Sequence, residues 1–370
     1  MNRSFKIFTV NDPKWNSLVE NCDDKDVYFL QEYLEIYSKM YSQKINDAFC
    51  GEPIMFFYGG ESEFVIQPFL RRKINDLAFC KDKLKEEYFD IISPYGYSGP
   101  IHKTIPSTDL QQLYNEFFTQ STKYCEKNNI ITEFTRFHPL LKNHQFYEEK
   151  NIDARNVTVS IDLTKDTDYI LKNMNKKTRN LIRKGEKSNL EVIHSTNESD
   201  VDEFISIYSK TMEKNSAKEE YFLEKQFFIN TIKYLKNSVS LFAVKSQNKT
   251  IASALFMHYG KFIHYHFSGS LKEYLSLAPN NFLLFKIIEW AKSNNYKTFH
   301  LGGGYSSADD SLFRFKSGFS KDTNQFYTYS KTHNHEMYNI LCELKNEYEK
   351  IADEEITSIF FPYYRLKSGR

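Results

Sequence analysis

No surplus of charge marks this chain. Its 49 basic and 48 acidic residues nearly cancel over 370 positions, which excludes the strongly cationic field of a general nucleic-acid binder and leaves room only for local patches. DNA is therefore not an expected partner. Cysteine is scarce: Cys22, Cys50, Cys80, Cys125 and Cys342 are odd in number, far apart and form no Cys-x-x-Cys pair. Neither a disulfide framework nor a zinc site is expected, and the thiols read as reduced and buried. No run approaches the ~20 apolar residues of a membrane span, and the opening MNRSFKIFTVNDPKW lacks the apolar core of a secretory signal. The expectation is a cytoplasmic protein without a transmembrane segment. Also missing are a low-complexity linker, a Walker loop of the form Gly-x-x-x-x-Gly-Lys-Ser/Thr, and an assignable Ser-His-Asp or Cys-His nucleophile.

What the chain has instead is length and aromatic bulk. At 370 residues it exceeds a usual single domain, and 26 Tyr with 32 Phe require an aromatic-rich core. The element order is mixed α/β. In the first half, DVYFLQEYLEIYSKMYS (26–42) has helical spacing, PIMFFYGG and EFVIQPFLRRKI pair as a hairpin, and FDIISPYGYSGPI is a strand entering a loop. TDLQQLYNEFFTQSTKYCEKNN (108–129) is then an amphipathic helix ahead of the strand IITEFTRFHP. The second half repeats that order: a helix from Asp168 to Lys187, the strand LEVIHS, helices over 201–236, a three-strand meander over 238–270, a helix from Asn280 and the strand KTFHL. Two α/β units follow, residues 1–156 and 157–329, with the tail 330–370 packing back on the first.

Four stretches carry candidate chemistry. Along the helix from Asp168, an inward stripe of Ile170, Met174, Thr178 and Leu181 opposes Lys176, Arg179, Arg183 and Lys187. That face is either plainly solvated or a rim for a nucleotide, a glycan phosphate or a tRNA acceptor end. In SPYGYSGP (93–100), Tyr95 and Tyr97 offer flat faces for a sugar or base, or simply complete a turn. Asn280 or Asn281 is placed to cap the following helix, whose free N–H groups are either a seat for pyrophosphate or simply the start of an ordinary capped helix. Finally, HLGGGYSSADDSLFRFKSGFS (300–320) sets Gly303, Gly304 and Tyr305 at a strand end. If the run beyond is extended, Phe313 and Phe315 face one way and Arg314 and Lys316 the other, placing fixed positive charge beside a glycine-lined opening. His333, His335 and Glu336 lack a third ligand at a recognisable spacing, so no metal site is expected.

Taken in order, NMNKKTRNLIRKGEKSNLEV, YSKTMEKNSAKEEYF, IHYHFSGS, NNFLLFKIIEWA, FHLGGGYSSADDSLFRFKSGFS and FFPYYR, with DIISPYGYSGP and EFTRFHPLLKN in the first half, resemble the FemAB-like branch of the GNAT superfamily over nearly the whole chain. The resemblance implies two tandem GNAT-like domains, each a mixed, mostly antiparallel sheet flanked by helices. It also implies transfer of an acyl or aminoacyl group to an amine of an amino sugar or cell-envelope precursor (peptidoglycan or polysaccharide), by direct attack. No cofactor is held permanently; acyl-CoA or aminoacyl-tRNA is the donor. The partners implied are a nucleotide-sugar or lipid-linked precursor, and tRNA. By position the resemblance assigns Phe315, Lys316 and Tyr265 to catalysis. It matches Lys214 to a phosphate-binding residue; the stretches above add Arg179, Arg183, Tyr95, Tyr97, Gly303, Gly304 and Tyr305, and EFTRFHP adds Arg136, as substrate-binding candidates, and the base is left among Asp309, Asp310, water and the substrate.

Two departures stand out: IHK (101–103) replaces an acidic residue after the Gly-Pro, and the Arg/Gln-x-x-Gly-x-Gly/Ala loop is absent before Phe282. Weak acetyl-CoA binding is the corresponding expectation. An aminoacyl-tRNA-dependent peptidoglycan bridge ligase and a non-catalytic glycan- or nucleotide-sugar-binding module remain open beside the general N-acyltransferase. No heptad-patterned coiled-coil arm lies between 187 and 250.

Overall fold

A computed structural model describes residues 3–40, 51–195, 197–215, 217, 221–305, 310–350 and 360–366. The chain forms two compact units: Met1–Asp24, Tyr28–Ala154 and Tyr327–Arg370 make the first, and Lys25–Val27 with Arg155–Phe326 the second.

In the first unit, β1 (Ser4–Thr9), β2 (Glu52–Gly59), β3 (Phe64–Lys73), β4 (Phe89–Ile92) and β6 (Ile130–Arg136) lie side by side, and β5 (Ile101–Lys103) also pairs with β3. Only β4–β6 is parallel among these. The crossover between them is α3 (Leu110–Lys127), started by the Asp109 carboxylate, which accepts from Gln112 N at 2.9 Å. Its Leu113, Tyr114, Phe117 and Cys125 recur at helical spacing and pack on Ile54, Phe56, Val65, Phe69 and Ile91 of the sheet. Near the end of the described chain, Arg365 returns to this unit and shares the buried Asp90 with Arg72, at 2.6 and 2.5 Å. Burial raises the Asp90 pKa, but Arg365 and Arg72 outweigh it and hold the carboxyl below its ordinary value.

The second unit orders its strands β7 (Ile152–Asp162), β12 (Thr298–Gly302), β11 (Phe262–Ser270), β10 (Lys249–Tyr259), β9 (Val239–Ser246) and β8 (Glu191–His194). Here β11–β12 is the parallel pair, joined by α8 (Pro279–Ser293). The first unit therefore runs strand, two helices, four strands, helix, strand, and from β8 onward the second runs strand, two helices, three strands, helix, strand. The first does so with α1 (Trp15–Glu20) and α2 (Gln31–Met40), the second with α6 (Glu198–Lys214) and α7 (Lys225–Tyr234). The second core lies between its sheet and the helices, with Ile182, Phe282, Leu283, Ile287 and Ile288 against Phe242, Ala254, Phe256, Ile263 and Phe299.

Three local expectations are corrected. The helix expected over 168–187 is two, α4 (Thr167–Asn173) and α5 (Lys176–Lys187), because Asn175 is extended and its side chain accepts from Thr178 N at 2.7 Å, starting a new helix. Within α5 the buried positions are Thr178, Ile182 and Gly185, while Leu181 is only half-buried. The run Ser311–Ser317 is helix α9, not an extended segment, since the Asp310 carboxylate caps it by accepting from Phe313 N at 2.8 Å. Neither Asn280 nor Asn281 caps α8; the cap is Ala278 in a left-handed conformation, followed by Pro279.

Candidate functional site

The site is assembled where β11 and β12 part. They pair only over Phe262–His264 and Thr298–His300, and β11 then continues to Ser270 paired with β10 but no longer with β12. At the last shared position His264 and His300 are both buried, with ring nitrogens 3.2 Å apart, and His264 Nε2 lies 2.7 Å from Asp26. One residue further on, β11 bulges against β10: Leu255 pairs with Phe267 but Phe256 with Tyr265. Tyr265 stacks on Phe256 at 5.6 Å, and burial pushes its hydroxyl up to about 12.

Beyond β12 the chain turns through Gly302, Gly303 and Gly304. Gly302 has φ +76°, a conformation that side chains rarely adopt, and a Cβ there would stand 3.3 Å from Lys316 Nζ. A Cβ on Gly304 would collide with Asp310 Oδ2 at 2.1 Å. The glycines thus let the loop close on α9. Tyr305 N donates to Asp310 Oδ2 at 2.5 Å, and Lys316 Nζ donates to Gly303 O at 2.7 Å.

Lys316 is 8% exposed, and burial lowers its pKa to about 8 against the opposing pull of Asp310. The helical turn separates the two cations that an extended segment would have aligned, leaving Arg314 in solvent and Lys316 inside. Phe313 and Phe315, expected on one face of a strand, both pack on the second core, Phe315 edge-on to Phe319 at 5.5 Å. The end of α6 reaches the same loop, where Asn215 Nδ2 donates to the half-exposed Tyr305 hydroxyl at 3.4 Å. Lys214, one residue earlier, is exposed.

The other predicted residues are placed differently. Arg179 does not project from the cationic face: its guanidinium donates to the carbonyls of Met174 and Lys172, closing the end of α4. Arg183 is exposed, with Lys176, Lys177, Lys184 and Lys187. Tyr95, Tyr97 and Arg136 belong to the first unit. There Tyr95 stacks on Tyr37 at 5.3 Å and accepts through its carbonyl from the Tyr33 hydroxyl. Tyr97 meets Tyr28 and His138 edge-on, burial raising its hydroxyl far above the ordinary value. The Arg136 guanidinium lies 5.1 Å from the Phe134 ring. Asp309 and Cys50 lie outside the described residues. His333 turns inward, 3.5 Å from Glu133, while His335 and Glu336 are exposed, so the three do not converge.

Sequence reasoning listed Asp310 only as a base and missed it as a cap. The signal was available: Asp310 stands immediately before an aromatic-rich run that can be read with helical spacing, the position an N-cap occupies. Asn215 carried no comparable signal.

Residues 172–317 match the family described as Acetyltransferase (GNAT) domain. A 173-residue stretch is 28% identical to UDP-N-acetylmuramoylpentapeptide-lysine N(6)-alanyltransferase of Weissella viridescens; it covers 45% of this chain and about half, 50%, of that protein. Among solved structures the chain resembles FemX, with TM-score 0.66 and 13% identity over 90% of this chain and 99% of the other. It also resembles a conserved protein of unknown function from Bacteroides thetaiotaomicron, with TM-score 0.52 and 11% identity over 88% and 98%. At such identities these two likenesses speak to fold alone.

Proposed function

We propose that the chain, which resembles the FemAB-like branch of the GNAT superfamily, is an N-acyltransferase passing an acyl or aminoacyl group to an amine of a cell-envelope precursor in the cytoplasm. The observation that carries the reading is Lys316, a buried amine aimed at a glycine-only turn where two parallel strands separate. One of its three N–H donors is used by Gly303 O, which leaves two for substrate oxygen. In direct transfer the neutral acceptor amine attacks the carbonyl carbon and the carbonyl oxygen takes the negative charge. The intermediate then expels the thiolate or the ribose oxygen as nitrogen loses its proton. A fixed cation at that oxygen is worth several kcal/mol, about 3 for one good donor. A binding-only module has no use for a cation held under desolvation at this point.

The similarity to the alanyltransferase favours a peptide amine of a UDP-linked precursor as the acceptor. One observation favours a charged tRNA over acyl-CoA as the donor: α5 presents Lys176, Lys177, Arg183, Lys184 and Lys187 to solvent opposite its buried Thr178, Ile182 and Gly185. A 12-residue helix is about 18 Å long, enough to follow several phosphates of a single strand. The test is mass spectrometry of UDP-linked muropeptides and amino sugars incubated with the protein and either aminoacyl-tRNA or acyl-CoA. A product formed with wild type and lost in Lys316→Met supports the reading. Absence of product with both donors, or an unimpaired Lys316→Met, overturns it.

A further inference from the structure

Lys316 and Asp310 clamp the same turn from opposite ends of α9. Asp310 uses both oxygens, Oδ1 for Phe313 N at 2.8 Å and Oδ2 for Tyr305 N at 2.5 Å, and Gly304 is bare of the Cβ that would push Oδ2 away. Capping needs one neutral acceptor, which Ser or Asn provides equally well. The second oxygen and the charge are surplus to that task.

We propose that Asp310 is a positioning residue for Lys316: its carboxylate holds the 303–305 turn against the ammonium and supplies the counter-charge that keeps the ammonium protonated inside the protein. The role rests on the transferase reading above, because a neutral Lys316 would offer no cation to a developing oxyanion. The surroundings support it. Burial drives the Lys316 amine down to about 8, and Asp310 is the charge acting against that drift. Among the described residues, the other titratable groups at the turn carry no negative charge at neutral pH: Tyr305 from the loop is raised by burial and by Asp310, and Tyr265 from β11 by burial. Arg179 of α5 is turned to backbone carbonyls, and Arg314 of α9 is in solvent. An opposite charge within about 4–6 Å of a titrating group typically moves its pKa by about 1–3 in favour of the charged form.

The experiment is a pH titration of the Lys316 side chain by NMR in full-length protein carrying 13Cε-lysine, with the resonance assigned by its loss in Lys316→Met. Asp310→Asn preserves shape and a capping oxygen but not the charge; Asp310→Ser caps the helix differently and guards against a folding defect in the first variant. The expected result is a Lys316 midpoint lowered by about one unit or more in both, with the alkaline limb of the pH–rate profile moving by the same amount and Asp310→Glu restoring part of it. A Lys316 midpoint unchanged in either folded variant overturns the assignment. The titration needs no substrate, so a failure to find acyl transfer removes the transferase reading without touching this measurement.

Discussion

Lys316 Nζ and the carbonyl oxygen of Gly303 are 2.7 Å apart, a hydrogen bond that spans 13 residues and fixes a buried cation at the end of β12. Replacing the amine by an apolar chain of similar length should leave the fold intact and remove charge stabilisation from the transition state. Lys316→Met is expected to lower kcat by about 10²–10³-fold with little change in KM. Steady-state kinetics decide it; a rise in KM at constant kcat would reassign Lys316 to ground-state binding.

Gly304 tests the turn itself. A methyl group there meets Asp310 Oδ2 at 2.1 Å, so Gly304→Ala must break the contact between Asp310 and Tyr305 N or displace α9. Activity should fall by an order of magnitude or more while the melting temperature changes little, because the turn is at the surface of the core rather than within it. Equal activity in the alanine variant would show that the close approach is incidental.

Buried Ser240 and His258 and half-buried Tyr296 form a chain, with His258 Nε2 2.9 Å from Ser240 Oγ and Nδ1 2.8 Å from the Tyr296 hydroxyl. Burial lowers His258 to about 4. The unfolded chain therefore binds this proton first, near 6.5, and stability falls as the pH drops from there through 4. Denaturant unfolding at pH 7 and pH 4.5 should show wild type losing about 2–3 kcal/mol more than His258→Gln over that interval. Parallel losses in the two proteins would exclude His258 as the source.

In the first unit, Asp90 is fully buried between Arg72 and Arg365 and also accepts from the Tyr364 hydroxyl at 3.1 Å. Asp90→Asn leaves two guanidinium groups without their shared anion. A loss of about 3–5 kcal/mol in unfolding free energy is expected, as for other buried pairs broken on one side. A loss below 1 kcal/mol would mean that solvent reaches the pair.

The cationic face of α5 predicts a salt-dependent RNA contact. Combining Lys176→Glu, Arg183→Glu and Lys187→Glu should weaken binding of an aminoacyl-tRNA acceptor-stem mimic at least tenfold and flatten the dependence of log K on log salt by about two to three. Acetyl-CoA titrated calorimetrically should bind weakly to both proteins. An unchanged RNA affinity would return this face to plain solvation.

The sequence by itself determined what depends on neighbours within a few residues. Helical spacing in 108–129, the meander ending at Ser270 and the glycines after KTFHL each follow from local periodicity or from a backbone that tolerates no Cβ, and each is present in the structure. Local reading failed where two periods fit one short run. Over Phe313–Lys316 a strand and a helix are both consistent with the pattern, and the deciding group, the Asp310 cap, comes before it. Tertiary structure alone decided the rest. Lys316 is a site residue because its amine turns inward to Gly303, and Arg179 is not part of the cationic face because it closes α4. Asp90 is charged because residues 18 and 275 positions away converge on it. The physical reason is common to all three: a buried polar group must find its partner, and the chain's path through space, not its order, determines which partner is within reach.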